Sequence, residues 1–392
     1  MIREAAKTNG IFSWEYRRDH DRWTEDAIKV ASTTIQNKDL YPICVPAYKR
    51  GKNSQTLKAL DGAPDLKVFI YGYKDDAAYS EYIEFINRNP TWKFIECNFT
   101  ENGKPVKGLR YKRVKIVDDM YEWGTPKHWQ IDDDIVNWIF CWTKRWENKP
   151  GKPRRRSAKT IVPFVDALKT YQLVIDCYKD PRPLGVVQCA WDIACSFRVL
   201  SGEDMNEPEL DRQPCAHAVI WINAEECKKK NVNYDLYDGW EDFSFFIKVR
   251  EAGIHTRGIR WLTYDTAAMN ADATVATEAD PGTHRWTIKT MEEYKVWGEI
   301  IRPREQNGQI NTKVRVTTLD NWPRDANGKY KKFYNPVLLE LCNNNDVTGF
   351  EKKILEMEAN KTISEYVNKL KIKEMKEDED EEIPVKNVGF KF

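Results

Sequence analysis

Histidine is scarce in this chain. Five occur in 392 residues, at positions 20, 128, 217, 255 and 284, and no two stand in the HxxxH spacing of a zinc hydrolase. The nine cysteines are an odd number without a CxxC pair, and the closest two, Cys189 and Cys195, lie six apart. Neither a zinc cluster nor a disulfide framework is expected, and reduced thiols are the default. No run of about 18 apolar residues occurs, so no membrane span or membrane partner is expected. The opening residues, MIREAAKTNG, lack the apolar core of a secretory signal, which points to a cytoplasmic protein. Neither GxxxxGK[ST] nor GxGxxG is present, so P-loop and dinucleotide-fingerprint chemistry have no support.

Net charge is also nearly absent, at +1 from 62 Lys and Arg against 61 Asp and Glu. That balance is uneven along the chain. Residues 374–382 hold seven acids and one lysine, a net of −6, so the rest of the chain carries +7. A near-neutral total therefore does not exclude a polyanionic partner.

What is present is a globular composition, 41% hydrophobic and 31% charged, with 15 tryptophans for a core or for stacking on sugars and bases. After a polar N-terminal stretch with a helix over Trp23–Ile35, strands and helices alternate. Strands are expected at 41–46 (YPICVP), 67–73 (KVFIYGY), 92–97 (WKFIEC) and 128–131 (HWQI), with helices at 54–60, 76–87 and 108–123 between them. This order implies an α/β fold with a parallel sheet flanked by helices, whose ligands bind beyond the carboxyl ends of the strands. The run 135–146 carries no clear assignment. A helix over 163–178, strands at 184–191, 196–200, 217–222 and 257–264, and a helix from about 239 to Gly253 follow. Beyond 300 the chain reads as irregular until a C-terminal helix from Thr348, with Thr348 and Glu351 spaced as a capping box.

Five constellations carry chemistry. Asp132-Asp133-Asp134 ends the fourth strand. Three adjacent carboxylates need a countercharge, which a hard divalent cation with oxygen ligands supplies; the alternative is a solvated acidic turn. Glu241-Asp242 opens a helix, where the pair is either a helix-dipole effect or a general base. His284 is either a nitrogen ligand or one more loop histidine. Pro46, Tyr48 and Arg50 follow the first strand and offer an aromatic ring and a cation to a nucleotide. The run 144–159, KRWENKPGKPRRRSAK, has eight cations against one acid. Its Lys152, Arg154, Arg155 and Arg156 suit phosphates and Trp146 suits a base, unless the loop is merely solvated.

Taken in order, VPAYKR, VFIYGYKDD, a Gly-led helix with Lys112-Arg113, HWQIDDDI, a later WED and a later His resemble a glycosyltransferase of the GT-A fold over about residues 40–290. HWQIDDDI and WEDFSFF further resemble the TET/JBP-associated glycosyltransferases, phage enzymes and relatives of the base J glucosyltransferase. The resemblance implies a GT-A-like mixed, mainly parallel sheet flanked by helices, with a helical C-terminal extension. It implies an inverting hexosyl- or pentosyltransferase that moves a sugar from a UDP-sugar, UDP-glucose first, to a 5-hydroxymethylated pyrimidine in DNA. Such an enzyme would work in the host cytoplasm if phage-encoded, and no obligate protein partner is evident.

Position by position, the resemblance implies that Asp132, Asp134 and His284 hold Mn2+ or Mg2+, and that Asp133 touches ribose or sugar hydroxyls. Pro46, Tyr48 and Arg50 would lie at the nucleotide, and Lys112 or Arg113 near the phosphates. Asp242, with Glu241 as the alternate, would deprotonate the acceptor. The DNA contact of residues 152–156 rests on charge alone. The remaining alternatives are a GT-A enzyme for a glycan or small molecule, a metal-dependent nucleotidyl or phosphoryl enzyme, and a non-enzymatic nucleic-acid-binding protein. The expected organisation is an extension at 1–40, a catalytic domain at 41–300 (donor half about 41–135, acceptor half about 160–300), a C-terminal extension at 301–373 and an acidic tail at 374–392.

Overall fold

In the computed structural model of the chain, residues 23–144, 156–178, 181–191, 218–234, 241–266, 284–306, 308–314, 319 and 321–361 are described. The expected strand at 196–200, the acidic tail and most of the basic loop lie outside them. Contacts divide the chain into two units, Met1–Pro281 with Val316–Lys331, and Gly282–Arg315 with Lys332–Phe392. The division thus falls near 281 rather than at 300, and a short later segment returns to the first unit.

The first unit runs α1 (Trp23–Thr34), β1 (Ile43–Pro46), α2 (Gln55–Leu60), β2 (Val68–Gly72), α3 (Tyr79–Arg88) and β3 (Lys93–Glu96). A small hairpin of β4 (Phe99–Glu101) and β5 (Lys104–Val106) precedes α4 (Leu109–Glu122) and β6 (Lys127–Ile131). Then come β7 (Ile135–Lys144), β8 (Arg156–Val162), α5 (Phe164–Cys177), β9 (Leu184–Trp191), β10 (Val219–Asn223), α6 (Ala224–Lys229), α7 (Glu241–Glu251) and β11 (His255–Thr266).

Nine strands form one sheet in the order β3-β2-β1-β6-β10-β9-β11-β7-β8. β3, β2, β1 and β6 pair in parallel, as do β9 and β11, while β10 and β7 run against their neighbours. The mixed, mainly parallel α/β architecture expected from the sequence is therefore the one observed. The unassigned run after the aspartates is β7, which pairs with β8, the next strand, and with β11, more than a hundred residues on and invisible to local pattern.

The central strands are short, nearly continuous apolar runs because both faces are covered. Side chains alternate across β1: Ile43 and Val45 join the main core with Leu57 and Leu60 of α2, Tyr82 and Phe85 of α3, and Leu168 and Tyr171 of α5. Cys44 faces a smaller core with Tyr71 and with Ile116 and Met120 of α4. The stretch read as an N-terminal extension contributes Ala27, Ala31 and Ile35 to the main core. Trp92, Trp129, Trp138 and Trp221 are fully buried, and Trp138 meets Phe164, Tyr171 and Tyr264 edge-on. These four rings are core rather than stacking platforms.

The second unit contains α8 (Arg285–Trp297), the hairpin β12 (Ile301–Gln306) and β13 (Gln309–Val314), α9 (Pro336–Asn343) and a helix α10 over 347–361. The expected irregularity beyond 300 gives way to this hairpin, closed between Gln306 and Gln309. The C-terminal helix begins one residue early. Asp346 accepts from Gly349 N at 2.9 Å and caps it, while Glu351 turns to His284 and Thr287. The Thr348–Glu351 capping box is therefore not formed. Among the described residues no helix is long and apolar enough to cross a membrane.

Candidate active site

Strand order locates the site. From β1 the chain steps outward to β2 and β3, then returns to place β6 on the other side of β1. The crevice beyond the carboxyl ends of β1 and β6 is the topological switch point, where open α/β sheets bind ligands. The loop after β1 carries Tyr48 and Arg50; the turn after β6 carries Asp132, Asp133 and Asp134.

The acidic turn is fixed through its backbone. Asp132 N donates to Ala218 O at 2.8 Å. Two buried hydroxyls at the start of α2 hold the carbonyls: Ser54 Oγ donates to Asp133 O at 2.8 Å and Thr56 Oγ1 to Asp132 O at 2.5 Å. Thr56 Oγ1 also accepts from Ile135 N at 3.1 Å, where the chain reverses into β7. Ser54 caps α2 as well, accepting from Leu57 N. Neither residue is among the site residues expected from the sequence, although a serine before a short helix is the residue type that caps one.

The loop after β1 is equally constrained. Lys49 takes a left-handed conformation, φ 52°, with its N–H on Asp76 Oδ2 at 2.8 Å. Lys52 N donates to Glu81 Oε2 at 2.6 Å. Gly51, at φ 40°, passes so close to Glu81 that a Cβ would lie 2.0 Å from its carboxylate.

The carboxylates meet arginines. Arg50 Nη1 lies 2.5 Å from Asp133 Oδ1 and 3.2 Å from Asp134 Oδ2, and Tyr48 N donates to Asp133 Oδ2 at 3.3 Å. Arg113 Nη2 donates to both oxygens of Asp132, at 3.0 and 3.2 Å. Arg113 Nε stands 3.6 Å from Glu241 Oε1 in the first turn of α7, and its guanidinium lies 5.6 Å from the Tyr234 ring centroid. Tyr234 stacks on Phe245 at 4.1 Å. The next carboxylate, Asp242, accepts from Phe243 N at 2.9 Å. The countercharge that three adjacent aspartates require is thus supplied in part by the protein itself.

Burial pushes the Asp133 carboxyl up to about 7 against the pull of Arg50, and pushes Asp132 up to about 7 against Arg113. Burial alone would lower the Arg113 pKa, but Asp132, Tyr234 and the α7 carboxylates outweigh it, so the guanidinium stays charged.

Among the described residues, no group of three or more His, Cys, Asp and Glu side chains is arranged to hold a metal ion. Nevertheless, the chemistry of the turn fits a divalent cation that takes its remaining oxygens from water and phosphate. Asp134 Oδ1 is buried without a hydrogen-bond partner, and Asp132 keeps a quarter of its side chain exposed.

Several expected site residues are occupied within the protein. Tyr48 is buried, with Lys49 Nζ 4.6 Å and Lys112 Nζ 5.1 Å from its ring centroid. Lys112 is fully buried, donating to Ala47 O at 2.7 Å and lying 4.5 Å from the Tyr73 ring centroid. Pro46 ends β1 and pairs with Tyr71 of β2. His284 precedes α8 in the second unit, with Nδ1 3.0 Å from Glu351 Oε1. Trp146, Lys152, Arg154 and Arg155 lie outside the described residues. Arg156 begins β8 opposite Lys144, so the basic run links two paired strands at the sheet edge.

No protein-family model matches the chain. No match was found among curated protein sequences. Among solved structures, one similar chain is the mannosyltransferase PcManGT from Pyrobaculum calidifontis in complex with GDP-Man and Mn2+, at 13% identity and TM-score 0.41 over 75% of this chain and 74% of that chain. Another is S. aureus TarS 1-349, at 11% identity and TM-score 0.37 over 75% of this chain and 99% of that chain. Superpositions this loose assign neither family nor activity here.

Proposed function

We propose that the chain is a GT-A-like, metal-dependent glycosyltransferase that moves a sugar from a UDP-sugar to the hydroxyl of a 5-hydroxymethylated pyrimidine in DNA. The observation that carries the reading is the Asp132–Asp134 turn, bolted by Ser54 and Thr56 at the switch point between β1 and β6. The order of motifs along the chain supports the same reading.

Asp132 and Asp134 are the residues to hold Mn2+ or Mg2+, which would act as a Lewis acid on the donor diphosphate. Breaking the sugar–phosphate bond builds positive charge on the anomeric carbon and negative charge on the departing diphosphate. Arg50 pairs with Asp133 and Asp134, and Arg113 with Asp132, so cations already stand at the turn where that negative charge would develop. Asp242 takes the acceptor's proton, and a single displacement then inverts the anomeric centre. A hydroxymethyl group on a pyrimidine projects into the major groove, and the basic run between β7 and β8 suits the DNA phosphates.

The test is mass spectrometry of nucleosides from hydroxymethylated DNA incubated with the protein, Mn2+ and a panel of UDP-sugars. An added hexose or pentose is expected. Release of UDP without any modified nucleoside would move the acceptor to a glycan or small molecule.

A further inference from the structure

Arg113 is a cation whose contacts join the acidic turn to α7. Its side chain is 4% exposed. One nitrogen of its fork reaches both oxygens of Asp132, and another faces Glu241. The guanidinium lies against Tyr234, whose ring stacks on Phe245, one turn into α7. Three groups, from the β6 turn, the segment before α7 and α7 itself, therefore share one planar cation carried by α4.

The charges explain why this cation matters. Asp132 and Glu241 are two carboxylates in a poorly solvated place, and without a shared cation they would repel. The guanidinium hydrogen-bonds Asp132 and faces Glu241 at ion-pair distance, 3.6 Å; its donors form a rigid fork, whereas an ammonium is a single point charge on a flexible stem. Holding Glu241 fixes the first turn of α7, and Asp242 is the next residue on that turn. Glu241, paired with Arg113, is then an anchor for the turn that also carries Asp242.

The geometry points to Arg113 as a positioning residue that registers the α7 carboxylates against the Asp132–Asp134 turn, acting through Glu241. The assignment rests on the glycosyltransferase reading for its consequence in turnover, but not for its structural content.

Two measurements on the full-length protein test it. The first is hydrogen exchange of the metal-free chain, comparing wild type with Arg113→Lys and Glu241→Gln. The amides of 245–248 donate to carbonyls in the first turn of α7, so their exchange should rise by about tenfold in both variants while 127–131 in β6 stays protected. The second is steady-state turnover with UDP-glucose, Mn2+ and hydroxymethylated DNA. Arg113→Lys should lower kcat by about a hundredfold with the KM for UDP-glucose within about twofold, and adding Glu241→Gln should cost little more.

Unchanged exchange at 245–248, additive losses in the double variant, or a raised KM at constant kcat would overturn the assignment. If Arg113→Lys does not fold, Glu241→Gln alone decides the exchange result. If wild type turns over no nucleotide sugar, the glycosyltransferase reading falls while the exchange arm still judges Arg113.

Discussion

Arg50 Nη1 stands 2.5 Å from Oδ1 of Asp133, and the same nitrogen is 3.2 Å from Asp134. One guanidinium thus answers two of the three adjacent carboxylates. Both side chains of the closer pair are nearly buried. Breaking such a pair from one side leaves a carboxylate without compensation, so Arg50→Met should cost about 3 kcal/mol near pH 8. The loss should shrink in acid, where Asp133 takes a proton. Chemical denaturation at the two pH values measures it, and an equal loss at both would show that the charge of Asp133 is not what Arg50 offsets.

The pH dependence has a definite sign. Asp133 and Asp132 are pushed up to about 7, chiefly by burial. A carboxyl whose folded pKa lies above its unfolded value near 4 holds its proton longer in the native chain. From these groups, metal-free stability is greatest below about pH 4 and is lost as pH rises to about 7. Asp133→Asn should flatten that slope in a series of denaturation midpoints. Mn2+ binding requires the deprotonated carboxylates and should tighten over the same window.

Thr56 is the hinge pin of the acidic turn, donating to Asp132 O and accepting from Ile135 N. Thr56→Val keeps the shape and removes both bonds, leaving two backbone groups unsatisfied. A loss of about 2 kcal/mol is expected, and Thr56→Ser should restore most of it. A Val variant as stable as wild type would mean that the turn holds itself.

Much of this fold is legible from local pattern. HWQI is an apolar strand stopped by three aspartates, and the first four strands lie within two residues of the bounds their sequence pattern predicts. What is not legible depends on partners far along the chain. Ser54 and Thr56 look like an ordinary helix start until the β6 turn folds onto them. Arg113 looks like any surface arginine of a basic helix, because Glu241 and Tyr234 meet it only in three dimensions. Two hairpins did carry a local signal that went unread. Asn102-Gly103 turns β4 into β5, with φ 52° and 75°, and Gly308, at φ 78°, lies between the paired residues of β12 and β13.

The cap of the C-terminal helix separates two neighbouring candidates of similar chemistry. Asp346 makes the bond to Gly349 N, whereas Thr348 is exposed. Asp346→Ala should lower stability by about 1 kcal/mol and Thr348→Ala by a few tenths or less. Thermal denaturation of the two variants side by side checks this, and a reversed order would restore the cap inferred from sequence.

The central claim is a metal-dependent sugar transfer at the Asp132–Asp134 turn. UDP release from UDP-sugars with Mn2+, comparing wild type with folded Asp134→Ala, tests it most directly. The expected result is release that EDTA abolishes and that falls by at least about a hundredfold in the variant. No release across the donor panel, or release unchanged in Asp134→Ala, would contradict it.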